Sequence, residues 1–231
     1  MLSKYSTIAL AREMRVFQPA VRLLASFGLI LACSTSHAQG GEAEDGSMLL
    51  FDFEGDTGSG WAIVNDGVMG GRSKGYRDIV DGVMRFDGTL VTRGGGFTSV
   101  RTAHSVDLSG FDGLEMRVRG NGRSFEVEVN DGQRYGWRSV SRRMPFDTSE
   151  DWRVVRAPFS DLRSTVFGEP VSVPEIDLES VEQLGFYILD GIDGPFWLEV
   201  DCVSAYRDDE RTSESIATIT SATGLTTPVR P

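Results

Sequence analysis

The feature that most constrains this chain is a period of two. Phe125-Glu126-Val127-Glu128-Val129 alternates apolar and acidic side chains, and Leu114 to Arg119 alternates apolar with charged ones. Arg153 to Val155 and Trp197 to Val203 repeat the pattern. Alternation of this kind sets one face of a strand on a core and the other in water. Further short strands are expected at 49–53, 79–86, 97–101, 135–140 and 183–189, punctuated by Gly, Asn, Asp and Pro. No segment after the N-terminal leader shows a helical period. About ten short strands without crossover helices predict an all-β fold, an antiparallel sandwich or jelly roll. Asn130-Asp131-Gly132, between two alternating runs, predicts a type I′ hairpin.

The ends of the chain lack this period. Arg15 and Arg22 precede an apolar run from Leu23 to Cys33, followed by Ser36-His37-Ala38. The run suits the apolar part of a signal peptide, about 7–15 residues, and is shorter than the roughly 20 that cross a bilayer. Cleavage after Ala38 is expected, with Met1 or Met14 as the start and a periplasmic or secreted product without a transmembrane segment. A retained anchor is one alternative. Another is acylation of Cys33, because Ile30 to Cys33 loosely resembles a lipobox, although Leu31 stands where a small residue is usual. The organisation expected is a signal peptide over 1–38, a linker over 39–47, one domain over 48–207 and a disordered tail over 208–231. That tail holds nine Ser or Thr and no aromatic residue. The central block contains all four Trp and is long enough to bury a core.

Charge and side-chain inventory exclude several functions. Of 231 residues, 34 are acidic and 23 basic, a net charge of −11. Residues 48–207 hold 26 acidic and 17 basic side chains, a net of −9. A nucleic-acid binder or an anionic-membrane binder needs the opposite balance. Cleavage would leave one His, His104, and one Cys, Cys202, which excludes a disulfide framework and a His/Cys metal centre. Cys202 lies in an alternating run and is expected as a buried, inert thiol. Gly71-Arg72-Ser73-Lys74-Gly75 formally matches Gly-x-Ser-x-Gly, but a glycine turn precedes it and a strand at Tyr76 follows, unlike a nucleophile elbow. Asp52, Glu54 and Asp56 alternate and read as a solvated strand face or as oxygens for a hard cation. Asp190 and Asp193 read as a turn, with a glycosidase pair left open. The expectation is a protein that is not an enzyme, without cofactor or metal.

Two glycine-rich strings stand out. Asn65-Asp66-Gly67-Val68-Met69-Gly70-Gly71-Arg72-Ser73 follows Trp61, and Arg93-Gly94-Gly95-Gly96-Phe97-Thr98-Ser99-Val100-Arg101 opens another strand. Glycines allow backbone geometry and close approach that other residues resist. Each string reads either as a tight turn whose Asn and Asp bond their own backbone or as a loop presenting polar groups. Arg101 is expected to hold a structural carboxylate or a ligand.

Together with Gly120-Asn121-Gly122-Arg123 and the Leu184-Gly185-Phe186 strand, these strings resemble the complex I intermediate-associated protein 30 (CIA30) family. The similarity spans essentially 48–206, with Asn121 where the family usually has Asp. The resemblance implies a galactose-binding-like β-sandwich and a non-catalytic assembly factor for a mitochondrial respiratory complex. For an exported chain two roles follow. One is docking of a protein partner through the glycine-rich loops, with Asn65, Asp66, Met69, Arg72, Ser73, Phe97, Ser99 and Arg101 as candidate site residues. The other is binding of a carbohydrate or envelope polymer, for which Trp61, Tyr76, Tyr135 and Trp137 are available platforms. The shared-site idea requires the two glycine-rich strings to meet in space.

Overall fold

The computed structural model describes residues 46–55 and 60–208, all within one compact unit. The segments expected as signal peptide and lipobox lie outside the described residues, as does nearly all of the linker and of the tail. Two antiparallel sheets face each other. One runs β11 (Arg153–Pro158), β6 (Gly113–Gly120), β15 (Gly194–Tyr206), β4 (Val83–Leu90), β3 (Lys74–Val80), with β1 (Met48–Phe51) also on β15. The other runs β13 (Glu169–Pro170), β12 (Arg163–Val166), β10 (Ser141–Asp147), β7 (Ser124–Asn130), β14 (Val181–Ile188), β5 (Thr98–Val106), β2 (Trp61–Asn65). The all-β sandwich is thus the architecture found. Among the described residues there is no α-helix, and no helix is long and apolar enough to cross a membrane.

The alternating runs build the core. Leu114, Met116 and Val118 of β6 and Phe125, Val127 and Val129 of β7 are buried between the sheets. Phe125 packs near Phe86, Phe146 and Phe196, with ring centroids 6.4, 6.2 and 6.2 Å away. On the outer face of the six-stranded sheet the charged positions of β6 find partners across strands. Arg117 meets Asp201 at 2.8 Å, Arg119 meets Glu199 at 2.6 Å and Arg156 meets Glu115 at 2.7 Å.

Strict alternation fails in instructive places. In β15, Leu198 and Val200 face the core, and so do Val203 and Ala205, because the register slips by one between Val200 and Cys202. A bulge shifts the inward phase by one residue. Cys202 is buried as expected, and in the full-length chain it is disulfide-bonded rather than a free thiol. Residues 79–86 form a hairpin rather than one strand, turning at Asp81 and Gly82 with φ of 51° and 72°. The segment 135–140 likewise divides into β8 (Arg134–Tyr135) and β9 (Arg138–Ser139).

Asn130-Asp131-Gly132 is not a type I′ hairpin. β7 pairs with β10 and β14, and the Asn130 side chain instead accepts the Gly132 N–H at 2.8 Å. Asp131 turns inward to Arg142 at 3.0 Å, both side chains being 3% exposed or less. The Asp131 carboxylate also accepts the Asp177 and Gln133 N–H groups at 3.0 and 3.2 Å. Burial raises its pKa, but the Asp177 N–H, Arg142 and the Gln133 N–H outweigh burial and hold it below the ordinary value. Removing one member leaves an uncompensated buried charge. Asp131→Ala is therefore expected to lower unfolding free energy in urea by about 3–5 kcal/mol. A loss under about 1 kcal/mol would mark the pair as solvated.

Candidate functional site

The two glycine-rich strings meet at one end of the sandwich, around Asp66. This residue opens a 3-10 turn (Asp66–Met69) after β2 and is fully buried. Its Oδ1 accepts the Ser73 N–H at 3.0 Å. Its Oδ2 accepts the Ser73 hydroxyl at 2.7 Å and the Gly96 N–H at 2.8 Å. Ser73 Oγ in turn accepts the Val91 N–H at 3.1 Å. Asp66 and Gly96 flank strands of the seven-stranded sheet, whereas Ser73 and Val91 flank β3 and β4 of the other. One carboxylate thus clasps both sheets.

The glycines are explained by this clasp. A Cβ on Gly71 or on Gly95 would overlap the Asp66 carboxylate. Only a bare Cα lets both loops close over the anion. Asn65 makes a second tie, its Oδ1 accepting the Gly75 N–H at 2.9 Å and the Thr98 hydroxyl at 2.7 Å. Burial alone would raise the Asp66 pKa. The Gly96 N–H, the Ser73 hydroxyl and N–H, and the Phe97 N–H together outweigh it and hold the carboxyl below its ordinary value of 3.8.

A further string closes the same end. Arg123 of Gly120-Asn121-Gly122-Arg123 grips Asp190 with two hydrogen bonds of 2.6 Å and donates to the Pro195 carbonyl at 3.0 Å. Asp193 accepts the Thr92 N–H at 2.6 Å, tying the 190–194 turn to the glycine-rich loop. Asp190 and Asp193 are thus engaged structurally rather than poised as a catalytic pair. The Arg123–Asp190 pairing was not legible, although an Arg after two glycines and an Asp-Gly turn are its signal.

The eight candidate residues divide. Asn65, Asp66 and Ser73 form the clasp, with the Phe97 backbone beside it. Met69 is 58% exposed and Arg72 is also exposed, both on the outside of the same loop. Ser99 and Arg101 point to the outer face of the seven-stranded sheet. There Arg101 Nε donates to Ser99 Oγ at 2.8 Å and its guanidinium lies 4.5 Å from the Tyr187 ring centre. The carboxylate expected for Arg101 is replaced by this ring. Ser73 is 2% exposed, so it presents no nucleophile, and half-buried His104 packs at a tilt against Phe51, with ring centres 4.7 Å apart. Among the described residues no group of three His, Cys, Asp or Glu side chains could hold a metal, and Asp56 lies outside them. Of the aromatic platforms, Trp61 belongs to the core, whereas Tyr76, Tyr135 and Trp137 are exposed.

Comparison with known proteins agrees with this architecture. The family model described as Complex I intermediate-associated protein 30 (CIA30) matches residues 51–200. The mouse mitochondrial protein of that name is 31% identical over 119 residues, 48% of this chain and 35% of that protein. A probable counterpart from Caenorhabditis elegans is 30% identical over 102 residues, 42% of this chain and 30% of its own. The matched part is thus about a third of these relatives. Among solved structures, the family 11 carbohydrate-binding module of the Clostridium thermocellum cellulase Lic26A-Cel5E superposes with a TM-score of 0.55. It is 18% identical, over 72% of this chain and 97% of that one. The agarase AgWH50C gives 0.51 at 12% identity, over 74% of this chain and 25% of its own. The likeness to both is one of fold.

Two outcomes test the clasp. Asp66→Ala orphans several buried donors and should cost about 3 kcal/mol or more, with Gly95→Ala also destabilising because Gly95 has no room for a methyl group. Because the folded Asp66 pKa lies below the unfolded one, its stabilisation is present above about pH 4 and is lost as pH falls through the folded value. Urea midpoints should therefore drop on acidification below pH 4, less steeply in Asp66→Asn. A variant with wild-type stability and an unchanged acid slope would refute the clasp.

Proposed function

Because the chain belongs to the CIA30 family, we propose that it is a non-catalytic binding module that docks a protein partner on the loop platform at the clasped end of its sandwich. The observation that carries this reading is the convergence there of three tied loops, 66–73, 91–97 and 189–194. They present Met69 and Ile192, 58% and 57% exposed, with Arg72, Arg93 and Asp193 among the polar groups of the same loops. Apolar side chains set among charges on a rigid support suit a protein interface. Buried Asp66 and Ser73, with half-buried Asn65, serve it by fixing the loops, not by touching the partner. The relatives' names point to assembly of respiratory complex I. For this chain the proposed client is instead an envelope protein, because the leader over 1–38 supports export to the periplasm.

A photo-crosslinking residue at position 69 is expected to capture one defined protein from envelope extract, and Arg72→Glu or Ile192→Glu to reduce that capture at unchanged melting temperature. The same probe at the exposed Val154 should not capture it. Equal capture from both positions would contradict the reading.

Export has its own test. The mature chain should begin after Ala38 in the periplasmic fraction. Cleavage also removes Cys33, the other cysteine of the sequence. Thiol counting after denaturation should then find one thiol, that of Cys202. An uncleaved cytoplasmic product would contradict export.

A further inference from the structure

The outer face of the seven-stranded sheet carries a feature apart from the exposed Met69, Arg72 and Ile192 of the loop platform. Strands β10 and β12 set Arg143 opposite Arg163 in register. Like charges in directly opposed positions destabilise a sheet, and the outer arginines of the other sheet are matched with carboxylates. Arg143 forms an ion pair with Glu126 at 2.9 Å, donates to Thr165 Oγ1 at 3.4 Å and lies 4.7 Å from the centre of the Tyr187 ring. Its buried Nε has no partner. Arg163 is exposed and forms no ion pair among the described residues. Tyr187, with Arg101 also on its ring, donates its hydroxyl to buried Glu128 at 2.8 Å. The strand positions of this face thus carry Arg101, Arg143 and Arg163 alongside Glu126, Glu128 and Asp147, on a chain whose net charge is −11.

A cavity of about 390 Å³ opens here, lined by Arg143, Arg163, Glu126, Thr165, Pro145 and Leu189, among others. That volume is near the lower end for small-ligand sites, about 300–1,000 Å³. Gly168 also lines it, and its neighbour Phe167 is 69% exposed. The Arg138 guanidinium lies over both Phe167 and Trp137, 5.2 and 4.9 Å from the ring centres, and Trp137 is 73% exposed. An arginine pair, a carboxylate and hydroxyl able to engage hydroxyl groups, and flat aromatic surface beside them define one ligand chemistry.

We infer that this cavity binds a saccharide bearing carboxylate groups. The opposed arginines receive the carboxylate through charge-assisted hydrogen bonds. Glu126 and Thr165 take ring hydroxyls, and Phe167 with Trp137 supplies the apolar surface for a neighbouring ring. Inorganic phosphate offers the same oxyanion but uses neither the hydroxyl partners nor the aromatic surface.

The test is calorimetric titration of the protein with trigalacturonate, with its methyl ester and with inorganic phosphate. Trigalacturonate should bind saturably. The ester and phosphate should each bind at least about tenfold more weakly, the loss typical of one charged hydrogen-bonding partner. Arg163→Gln, at an exposed position, should weaken trigalacturonate about tenfold at unchanged melting temperature, and Phe167→Ser should weaken it several-fold. Met69→Glu, on the loop platform, should leave it unaltered. Equal binding of acid and ester, phosphate as tight as the saccharide, no effect of Arg163→Gln, or no binding at millimolar concentration would each overturn the inference.

Discussion

The structure depends on one buried anion. The Asp66 carboxylate sits inside the end of the sandwich and is held by N–H and hydroxyl groups rather than by a cation. An ion taken from water must be solvated by the protein or it destabilises the fold. Here the solvation shell consists of backbone from two distant loops and one serine. That requirement dictates what surrounds it. Gly71 and Gly95 must lack side chains to approach the carboxylate, Ser73 must be small and hydroxylated, and the loops leaving both sheets must reach the same point. The Asn65 tie and the Arg123–Asp190 fork then fix the neighbouring strands and turns.

It follows that the string which most strongly marks the family is chiefly a structural device. What the clasp leaves outside, such as Met69, Arg72 and Ile192 on the loops, is the surface on which the proposed partner would be selected. Relatives can share the buried constellation and differ at these exposed positions, so a common fold does not require a common client. The outer sheet face is independent again, because its arginines, glutamates and Tyr187 project from strand positions that the clasp does not touch.

Much of the fold was legible from period and punctuation. Leu114 to Arg119 behaves as a strand with one wet and one dry face, and its charges pair across strands. The pattern misled where tertiary context intervened. Glu128 alternates like a solvated residue yet is 1% exposed, because its strand is central and Tyr187 from the next strand covers it. The phase change in β15 needs a bulge that no residue type announces. Asn130-Asp131-Gly132 has hairpin chemistry, but Arg142 draws Asp131 inward and β7 finds other partners. For the site, Asp66 and Gly96 are 30 residues apart, and a shared motif suggested their meeting without showing that the carboxylate would be interior. Arg101 was grouped with that motif by proximity in sequence, although its strand turns it to the opposite surface.

The central claim is that the Asp66 carboxylate organises the glycine-rich end by bonding specific amides, and amide hydrogen exchange reads those bonds directly. The Ser73 and Gly96 N–H groups lie outside the strand ladders, and Asp66 is the acceptor that protects them. At neutral pH both should exchange as slowly as the amides of the adjoining strands in the wild-type protein. In Asp66→Asn both should speed up by at least about tenfold relative to the core strands. Exchange of Ser73 and Gly96 at the rate of unprotected loop amides in the wild type, or protection unchanged by the substitution, would contradict the account.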